Sequence, residues 1–332
     1  MVLAQRWSYP APPKDESPID LPRGVEMAHE KEVLFQERLA DGRFRCLTCP
    51  HACRLAEGAF GRCGVRVVRE GRLVSLTAER VVAVHADPIE KKPLYHALPG
   101  TRSLSFGAPG CNLTCTFCQN CSISQLRGGP LPGERVDPVR LARVAREQGC
   151  PSLCATYTEP TIFFELARAA GRAAREAGLR NFWVSNGYMS APVRRDLAAW
   201  VDGINIDLKA FRDDFYRTLC GGRLAPVRES IADLAERGVW VEVTTLVIPG
   251  RNDGEEELGD SEWPRPTSTG GAPAPAAAAG WPGSSEAWAS PPSLPRTGTA
   301  KKTPGTPWGG RASGCPVGQG LRGWMSYLRS LR

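Results

Sequence analysis

The sequence lacks the features that would assign it to a membrane or to a nucleic acid. No segment of its 332 residues approaches the roughly 18 apolar residues that a membrane-spanning helix needs. The N-terminal run MVLAQRWSYPAPPKDESP has no apolar core typical of a secretory signal peptide. The formal charge of +7 is modest, and no basic run carries interleaved aromatic residues. We therefore expect neither a membrane nor a nucleic-acid partner.

Cysteine is abundant instead, with 12 residues in the chain. Most of these cysteines lie in two short runs, which argues against a secreted protein built on disulfide bonds. In a reducing compartment, clustered cysteines usually bind metal or take part in catalysis. The cysteine pattern therefore predicts a cytoplasmic protein.

Four regions differ in composition. Residues 1–26 are rich in proline and charge and predict a flexible extension, and residues 27–100 form a cysteine-rich N-terminal region. Residues 101–258 alternate short apolar strands with helical segments. Residues 259–332 are dominated by Gly, Pro, Ala and Ser, so we predict a disordered tail that cannot offset the entropy of ordering. Because the alternation stops in mid-unit, a reading-frame change or an alternative splice end is a further hypothesis.

The alternating region predicts a parallel sheet with helices outside it. Helices are expected near residues 137–148, 161–177 and 226–237, with Asp137 as an N-terminal cap. The expected strands are Ser103–Ala108, Ser152–Tyr157, Asn181–Ser185, Gly203–Asp207 and Trp240–Val247. Such alternation is typical of an α/β fold, and right-handed crossovers curl the sheet towards a barrel. The polar motifs follow the carboxyl ends of the strands, where barrel enzymes carry their chemistry.

The most specific motif is a set of three cysteines, Cys111, Cys115 and Cys118, in the run GAPGCNLTCTFCQN. Thiolates at this C-x3-C-x2-C spacing can hold three irons of a 4Fe–4S cube and leave the fourth iron without a protein ligand. Zinc sites usually combine two C-x2-C knuckles or add histidine, and neither lies near this loop. A ferredoxin-like carrier, with C-x2-C-x2-C-x3-C-P, is the closer alternative. Cys121 gives the reverse order without the proline, so we interpret it as a packed thiol.

A second metal site is indicated by Cys46, Cys49, Cys53 and Cys63 in the run CLTCPHACRLAEGAFGRCGVR, which also contains His51. Four soft ligands around glycine turns suit an auxiliary iron–sulfur cluster or a closed zinc site. Free structural thiols are the alternative, and the spacing does not choose between zinc and iron.

Phe117 extends the cluster motif to C-x3-C-aromatic-x-C, which resembles the radical SAM superfamily, whose members use S-adenosylmethionine (SAM). The sequence most resembles the AmmeMemoRadiSam-system radical SAM enzymes, relatives of the pyruvate formate-lyase activating enzymes, from about Met27 to about Leu258. The segments that carry the resemblance are EKKPLYHALPG, GCNLTCTFCQN, ATYTEPTIFFE, VSNGYM, INIDLKAF, FYRTLCGGRLAPV and VWVEVTTLVIPGRND. It implies a partial (β/α)6-type radical SAM barrel with a small cysteine-rich N-terminal domain.

The resemblance implies an enzyme in which a 4Fe–4S cluster reductively cleaves SAM to a 5′-deoxyadenosyl radical that abstracts hydrogen from a substrate. The cofactor supplies this difficult step, and the protein positions and shields it. The implied partners are a flavodoxin- or ferredoxin-like reductant and either a protein substrate or the AmmeMemoRadiSam companion proteins. The alternatives are an iron–sulfur electron-transfer or metal-binding module without SAM chemistry, and an inactive truncated product.

The resemblance also implies a SAM site made of residues that follow the strands. Glu159 would accept hydrogen bonds from the SAM ammonium, although an acidic residue at a helix start is the plain alternative. Ser185 and Asn186 would hold the ribose or the carboxylate, with ordinary turn chemistry as their alternative.

Two further parts of the SAM site are implied beyond the third strand. Asp207 and Lys209 lie on one face of the fourth strand and either pair with each other or contact the SAM carboxylate. Phe117 would offer its backbone to the adenine, near the loop IPGRND.

The segment EKKPLYHALPG precedes the first barrel strand and is rich in charge. An exposed, solvated segment is the ordinary interpretation of such a run. The resemblance makes contact with a substrate or partner the sharper hypothesis, and its candidates are Lys91, Lys92, Tyr95 and His96.

Overall fold

The structure, a computed structural model, describes residues 30–126, 131–255 and 257. The predicted extension (1–26) and the predicted tail (259–332), with the reading-frame and splice hypotheses, lie outside the described residues. No helix within the described ranges combines the length and the apolar character needed to cross a bilayer.

Residues 30–81 build a small β-rich unit, which we call the cysteine module. Its strands are β1 (Lys31–Glu32), β2 (Gln36–Arg38), β3 (Phe44–Cys46), β4 (Arg54–Leu55), β5 (Arg66–Arg69), β6 (Arg72–Ser75) and β7 (Arg80–Val81). Strand β3 lies between β2 and β4, and β6 lies between β1 and β5, with antiparallel pairing throughout. Val33, Phe44, Leu55, Val68 and Leu73 are buried together, so the module has an apolar centre of its own.

A six-stranded sheet forms the centre of the remaining described chain. Its strands are β8 (Ala83–Pro88), β9 (Arg102–Gly107), β11 (Ser152–Ala155), β12 (Arg180–Ser185), β13 (Gly203–Asp207) and β14 (Trp240–Thr244), and β10 (Glu134–Arg135) pairs with β7 outside it. The order is β14-β13-β12-β11-β9-β8. Strand β8 is antiparallel to β9, and the other neighbours are parallel. The predicted fold class, an α/β fold whose sheet forms an open, partial barrel, is confirmed.

The helices lie between the strands, as the alternation predicts. They are α1 (Cys121–Ser124), α2 (Pro138–Glu147), α3 (Phe164–Glu176), α4 (Ala191–Leu197), α5 (Asp213–Phe215) and α6 (Leu224–Glu236), with 3-10 turns at Ile89–Lys91 and Pro160–Phe163 and a π turn at Tyr216–Cys220. Asp137 caps α2 as predicted, because its carboxylate accepts the Val139 N–H at 3.0 Å. The helix expected from Thr161 begins as the 3-10 turn and becomes an α-helix only at Phe164.

Two predicted strands are shorter in the structure. The second barrel strand ends at Ala155 rather than Tyr157, because Tyr157 has a φ of 69°, which an extended strand cannot contain. The fifth ends at Thr244 rather than Val247. Both deviations fall at carboxyl ends, where the chain turns into the candidate site.

Alternation along the strands gives the sheet two different faces. One face packs on the helices and contributes residues such as Leu104, Trp183 and Ile204 to the main core. The opposite, inner face is covered by residues 89–98, which we call the inner segment. Its apolar contacts are made by Ile89, Leu94 and Ala97 with Cys154 and Phe182. The carboxyl edge of the sheet is left for the polar motifs.

Candidate functional site

The three motif cysteines lie on the cluster loop, residues 108–120, which directly follows β9. Its backbone is anchored to the end of the π turn, where the Thr114 and Thr116 N–H groups donate to the carbonyls of Cys220 (2.8 Å) and Leu219 (2.9 Å). A Cβ atom on Gly221 would lie 2.3 Å from the Thr114 hydroxyl oxygen. Glycine is therefore required for the two segments to approach this closely.

The thiols of Cys111, Cys115 and Cys118 are half-buried. The Leu113 N–H donates to the Cys111 sulfur at 3.4 Å, and the Asn186 amide donates to it at 3.6 Å. Hydrogen bonds to a thiolate favour the charged form that binds metal. No three Cys, His, Asp or Glu side chains in the described ranges surround one point as they would around a single ion. Each thiolate of a 4Fe–4S cube binds a different iron, so the donor chemistry of this loop fits that cluster.

Cys115 and Cys118 have different surroundings from Cys111. Cys118 and the Ser124 hydroxyl lie 3.3 Å apart. Cys115 is hydrogen-bonded to the buried Cys220 thiol, and this contact, helped by the charge of Lys209, lowers the pKa of Cys115. Burial chiefly raises the pKa of Cys111. Cys220 therefore belongs to the immediate surroundings of a predicted cluster ligand.

Glu159 is fully buried, and the protein itself uses both of its carboxylate oxygens. One oxygen accepts the Thr161 N–H (2.9 Å) and the hydroxyls of Thr161 (2.5 Å) and Ser185 (2.8 Å). The other accepts the Asn186 N–H at 2.8 Å. Burial raises the pKa of Glu159, and the hydrogen bonds that its carboxylate accepts lower it but do not outweigh the burial. Its contacts match the helix-cap alternative, while the contact with the SAM ammonium stays a prediction.

Ser185 and Asn186 join the end of β12 to the cluster loop. The Ser185 hydroxyl also accepts the Gly187 N–H at 3.0 Å, which shapes the turn. The Asn186 side chain donates to the Asn112 side-chain oxygen at 2.8 Å and accepts the Tyr188 N–H at 2.8 Å. The structure therefore brings Asn186, which is predicted for SAM, into contact with the cluster cysteine Cys111, while Ser185 contacts Glu159.

Asp207 and Lys209 pair with each other across 3.1 Å at the end of β13. Burial disfavours the charged form of Lys209, but the charge of Asp207 outweighs it and raises the lysine pKa. Asn252, which is buried in the predicted IPGRND loop, donates to the Lys209 carbonyl at 2.8 Å. Sequence reasoning missed Asn252, although its position in a quoted motif was a usable signal.

The inner segment is tied to the sheet rather than free in solvent. Lys92 is buried, and its ammonium donates to Asp87 (2.7 Å) and to the Tyr157 hydroxyl (3.2 Å). The solvated-run interpretation is therefore wrong for Lys92. Lys91, whose side chain is exposed, also pairs with Asp87 at 2.8 Å. Asp87 and Tyr157 were missed, because no local pattern marks residues that meet across 70 positions of sequence.

The other two candidates of the inner segment are held by their backbones. The N–H groups of Tyr95 (2.8 Å) and His96 (3.1 Å) donate to the Glu242 carboxylate on β14, and both residues are exposed.

Phe117, on the cluster loop, packs its ring on Phe215, with 5.7 Å between the ring centroids. Substrate contact by Tyr95 and His96, and adenine contact by Phe117, stay predictions.

The cysteine module meets this site through His51. A ring nitrogen of His51 lies 2.8 Å from the carbonyl oxygen of Asn112, the residue after Cys111. Buried Arg66 of the module forms a 3.0 Å ion pair with buried Glu165 at the start of α3. Of the four module cysteines, Cys49 and Cys63 pack in the same core cluster as Cys111 and Cys115.

Comparison with known proteins agrees with this arrangement. The family model described as the Radical SAM superfamily matches residues 106–261. The uncharacterized protein MJ0808 of Methanocaldococcus jannaschii is 38% identical over 228 residues, which cover 69% of this chain and 68% of that protein. The chain therefore belongs to the radical SAM superfamily, a family that implies a 4Fe–4S cluster and SAM.

More distant similarities involve characterized proteins. The pyruvate formate-lyase 1-activating enzyme of Escherichia coli is 25% identical over 162 residues, covering 48% of this chain and 65% of that enzyme. Among solved structures, Streptococcus suis SuiB bound to S-adenosylmethionine gives a TM-score of 0.36 at 16% identity, covering 45% of this chain and 34% of that one. A radical SAM methyltransferase from Sphaerobacter thermophilus gives a TM-score of 0.36 at 20% sequence identity, covering 49% of this chain and 52% of that one.

Proposed function

We propose that this chain is a SAM-cleaving enzyme that removes a hydrogen atom from a substrate, and that it works in an AmmeMemoRadiSam-type system as a relative of the glycyl-radical activating enzymes. The observation that carries the proposal is the cluster loop. Two residues expected at the SAM site act on its cysteines, because the Asn186 amide donates to Cys111 and the charge of Lys209 acts on Cys115. The 25% identity to a pyruvate formate-lyase activating enzyme supports the activase relationship.

The residues of the site have separate tasks in this proposal. Cys111, Cys115 and Cys118 would hold a 4Fe–4S cluster, and a bound cluster would supply one-electron reduction of SAM. The Asn186 amide orients the Cys111 sulfur, and Glu159 fixes the Asn186 backbone. Glu159 is thus a positioning residue, and its second oxygen, which among the described donors accepts only the Asn186 N–H, would accept a hydrogen bond from the SAM ammonium.

Lys209 provides a fixed positive charge at the carboxyl edge of the sheet. Its side chain is 17% exposed, its ammonium lies 3.1 Å from the Asp207 carboxylate, and the charge of Cys115 also acts on it. A cation held in this position can pair with the carboxylate of an amino-acid-like ligand. The Asp207–Lys209 pair also keeps the charge compensated before such a ligand binds.

The substrate side of the proposal is the inner face of the sheet. Lys92, Tyr157 and Asp87 bring polar groups to this face within a buried setting. We propose a flavodoxin- or ferredoxin-like reductant and a protein substrate or companion protein as the partners. The exposed side chains of Tyr95 and His96 offer a surface for such a protein.

Anaerobic reconstitution with iron and sulfide, followed by dithionite and SAM, tests the proposal. We expect wild-type protein to form 5′-deoxyadenosine, measured by liquid chromatography and mass spectrometry. The Cys115→Ala variant should lose at least 100-fold of this activity, because one iron loses its ligand. Cys150→Ala is the matched control, since Cys150 is a buried cysteine at the start of β11, away from the cluster loop.

Two outcomes would count against the proposal. Product formation that survives Cys115→Ala would refute the assignment of the cluster ligands. A reconstituted wild-type protein with full iron content but no 5′-deoxyadenosine would instead favour an electron-transfer module or an inactive product.

A further inference from the structure

We infer that Cys46, Cys49, Cys53 and Cys63 form a second metal site, a four-thiolate site for zinc or an iron–sulfur cluster, which fastens the cysteine module to the cluster loop. This site is separate from SAM cleavage and does not depend on it. Thiolates are the ligands that both kinds of metal centre share.

Three of the four cysteines lie on one hairpin of the module. The Cys46 N–H donates to the Cys53 carbonyl at 2.9 Å, which continues the antiparallel pairing of β3 with β4. Cys49 lies in the intervening turn, which is closed by the Ala52 N–H donating to the Cys49 carbonyl at 3.1 Å. The hairpin therefore holds three thiols within one short loop.

The fourth cysteine comes from a glycine turn on the next part of the chain. The Gly64 N–H donates to the Gly61 carbonyl at 2.9 Å and so presents Cys63 between them. Cys63 lies close enough to Cys46 and Cys53 for their charges to act on it. Cysteine thiols bind metal as thiolates, so metal binding at this site would release their protons.

Two of these thiols are influenced by the backbone N–H two residues further on, as the predicted cluster ligand Cys111 is. That N–H belongs to His51 for Cys49 and to Val65 for Cys63. In the cluster loop the Leu113 N–H donates to Cys111 at 3.4 Å. An N–H directed at sulfur stabilises the thiolate that metals require.

Arg66 supplies a buried cation beside the four thiols. It is 1% exposed, and the charges of Cys46, Cys49 and Cys63 act on it. Its terminal nitrogens bond to Thr48, Ile162 and Glu165, but its Nε–H has no hydrogen-bond acceptor among the described residues. A buried donor normally has an acceptor. A metal-bound sulfur would give this one its acceptor and a compensating charge.

Zinc and a cluster place different demands on the thiols. Zinc needs all four sulfurs at about 2.3 Å from one ion, whereas a 4Fe–4S cube takes one sulfur per iron. No three donors of this kind within the described ranges already surround one point. Single-ion binding would therefore draw the side chains together, and metal content tells the two forms apart.

The module touches the cluster loop on both sides of Cys111. His51 lies 2.8 Å from the carbonyl of Asn112. A Cβ on Gly110 would lie 2.7 Å from the Cys63 carbonyl oxygen, so the two loops pack backbone to backbone. A metal that fixes Cys49 and Cys63 therefore also fixes the surroundings of Cys111.

Zinc and iron analysis of the anaerobically purified full-length chain tests the site. We expect the variant Cys111→Ala/Cys115→Ala/Cys118→Ala to keep either one zinc or about four irons per chain. We expect Cys49→Ser/Cys63→Ser to lose that metal, and Cys150→Ala to keep it. If the triple variant retains neither metal, all bound metal belongs to the cluster loop and the second site is refuted.

Alkylation of native wild-type protein guards against variants that fail to fold. Metal-held thiols should react with iodoacetamide only after a strong chelator is added, so the four peptides should gain label and the Cys150 peptide should not. Equal labelling with and without chelator would overturn the site. A wild-type protein that keeps this metal yet fails to cleave SAM would count against the proposed enzyme alone.

Discussion

Lys92 is a buried lysine whose charge is satisfied from two directions. Its ammonium contacts the Asp87 carboxylate and lies 4.4 Å from the centre of the Tyr157 ring. The Tyr157 hydroxyl donates to the same carboxylate at 3.0 Å. A buried charge that loses one such partner is strongly destabilising. These three side chains therefore fasten the inner segment to the ends of β8 and β11.

The Asp87 carboxylate makes part of the stability depend on acid. Partial burial would raise its pKa, but Lys91 and Lys92 outweigh this and lower it to about 2, from an ordinary 3.8. Because the pKa of Asp87 is lower in the folded than in the unfolded chain, its ionised carboxylate stabilises the fold above pH 4. This contribution is lost as the pH falls from about 4 towards 2. We expect the difference in unfolding free energy between wild type and Asp87→Asn to shrink by about 2 kcal/mol over that range.

Urea denaturation at a series of pH values measures this difference. The variant Lys92→Met should be strongly destabilising, because it removes the buried partner of Asp87. Lys91→Met is its matched control, because both lysines contact Asp87 but only Lys92 is buried. The exposed pair should contribute at most about 1 kcal/mol. A wild-type-to-variant difference that stays constant between pH 5 and pH 2 would contradict the role of Asp87.

Strand β9 ends in a glycine because another segment crosses it. Tyr157, with its unusual positive φ, lies over Gly107, and a Cβ there would meet the Thr156 carbonyl oxygen at 2.6 Å and the Tyr157 Cβ at 3.0 Å. A non-glycine residue in the left-handed region is strained and persists only when its surroundings hold it. The Asn120 side chain, which donates to the Tyr157 carbonyl, provides one such restraint from the cluster loop.

Gly107→Ala should disturb this crossing. Because the clash is with backbone atoms, we expect a loss of about 1–3 kcal/mol in unfolding free energy. Gly254→Ala is the control, since nothing lies within 4 Å of the added Cβ, and it should change stability by less than about 0.5 kcal/mol. Thermal denaturation compares the two variants. Equal melting temperatures would show that the end of β9 accommodates the added Cβ without loss of stability.

The cysteine module and the barrel sheet are joined by a buried ion pair. Arg66 and Glu165 belong to β5 and α3, and their side chains are 2% and 4% exposed. Glu165 also accepts the Leu34 N–H at 3.2 Å. Both charges are thus removed from water at the contact between the two units, where an unpaired one would be costly.

A double-mutant cycle on this pair measures how strongly the two units are coupled. We expect Arg66→Met to cost about 3–5 kcal/mol, because Glu165 is left buried without its cation. Arg66→Met/Glu165→Met should recover most of that loss, since no buried charge remains. Chemical denaturation gives the three free energies. Additive losses in the double variant would show that the pair does not couple the module to the barrel.

Local patterns in the sequence predicted the strands and helices well where each element contains its own signal. Asp137 with its following proline marks the start of α2, and Gly203–Asp207 is a strand in both prediction and structure. The prediction was wrong where distant contacts decide the local conformation. Tyr157 lies outside the strand and contacts Asp87 and Asn120, and the buried Lys92 contacts Asp87 and Tyr157.

The spacing of Cys111, Cys115 and Cys118 was sufficient to predict a 4Fe–4S cluster, which the superfamily also implies, because ligands on one loop need no tertiary information to be close. The alternation of strands and helices likewise predicted a parallel sheet with its motifs at the carboxyl edge. Only the folded structure shows that the oxygens of Glu159 are occupied by protein donors and that Cys220 lies against Cys115. Burial and hydrogen bonding between remote residues depend on packing, which spacing along the chain does not encode.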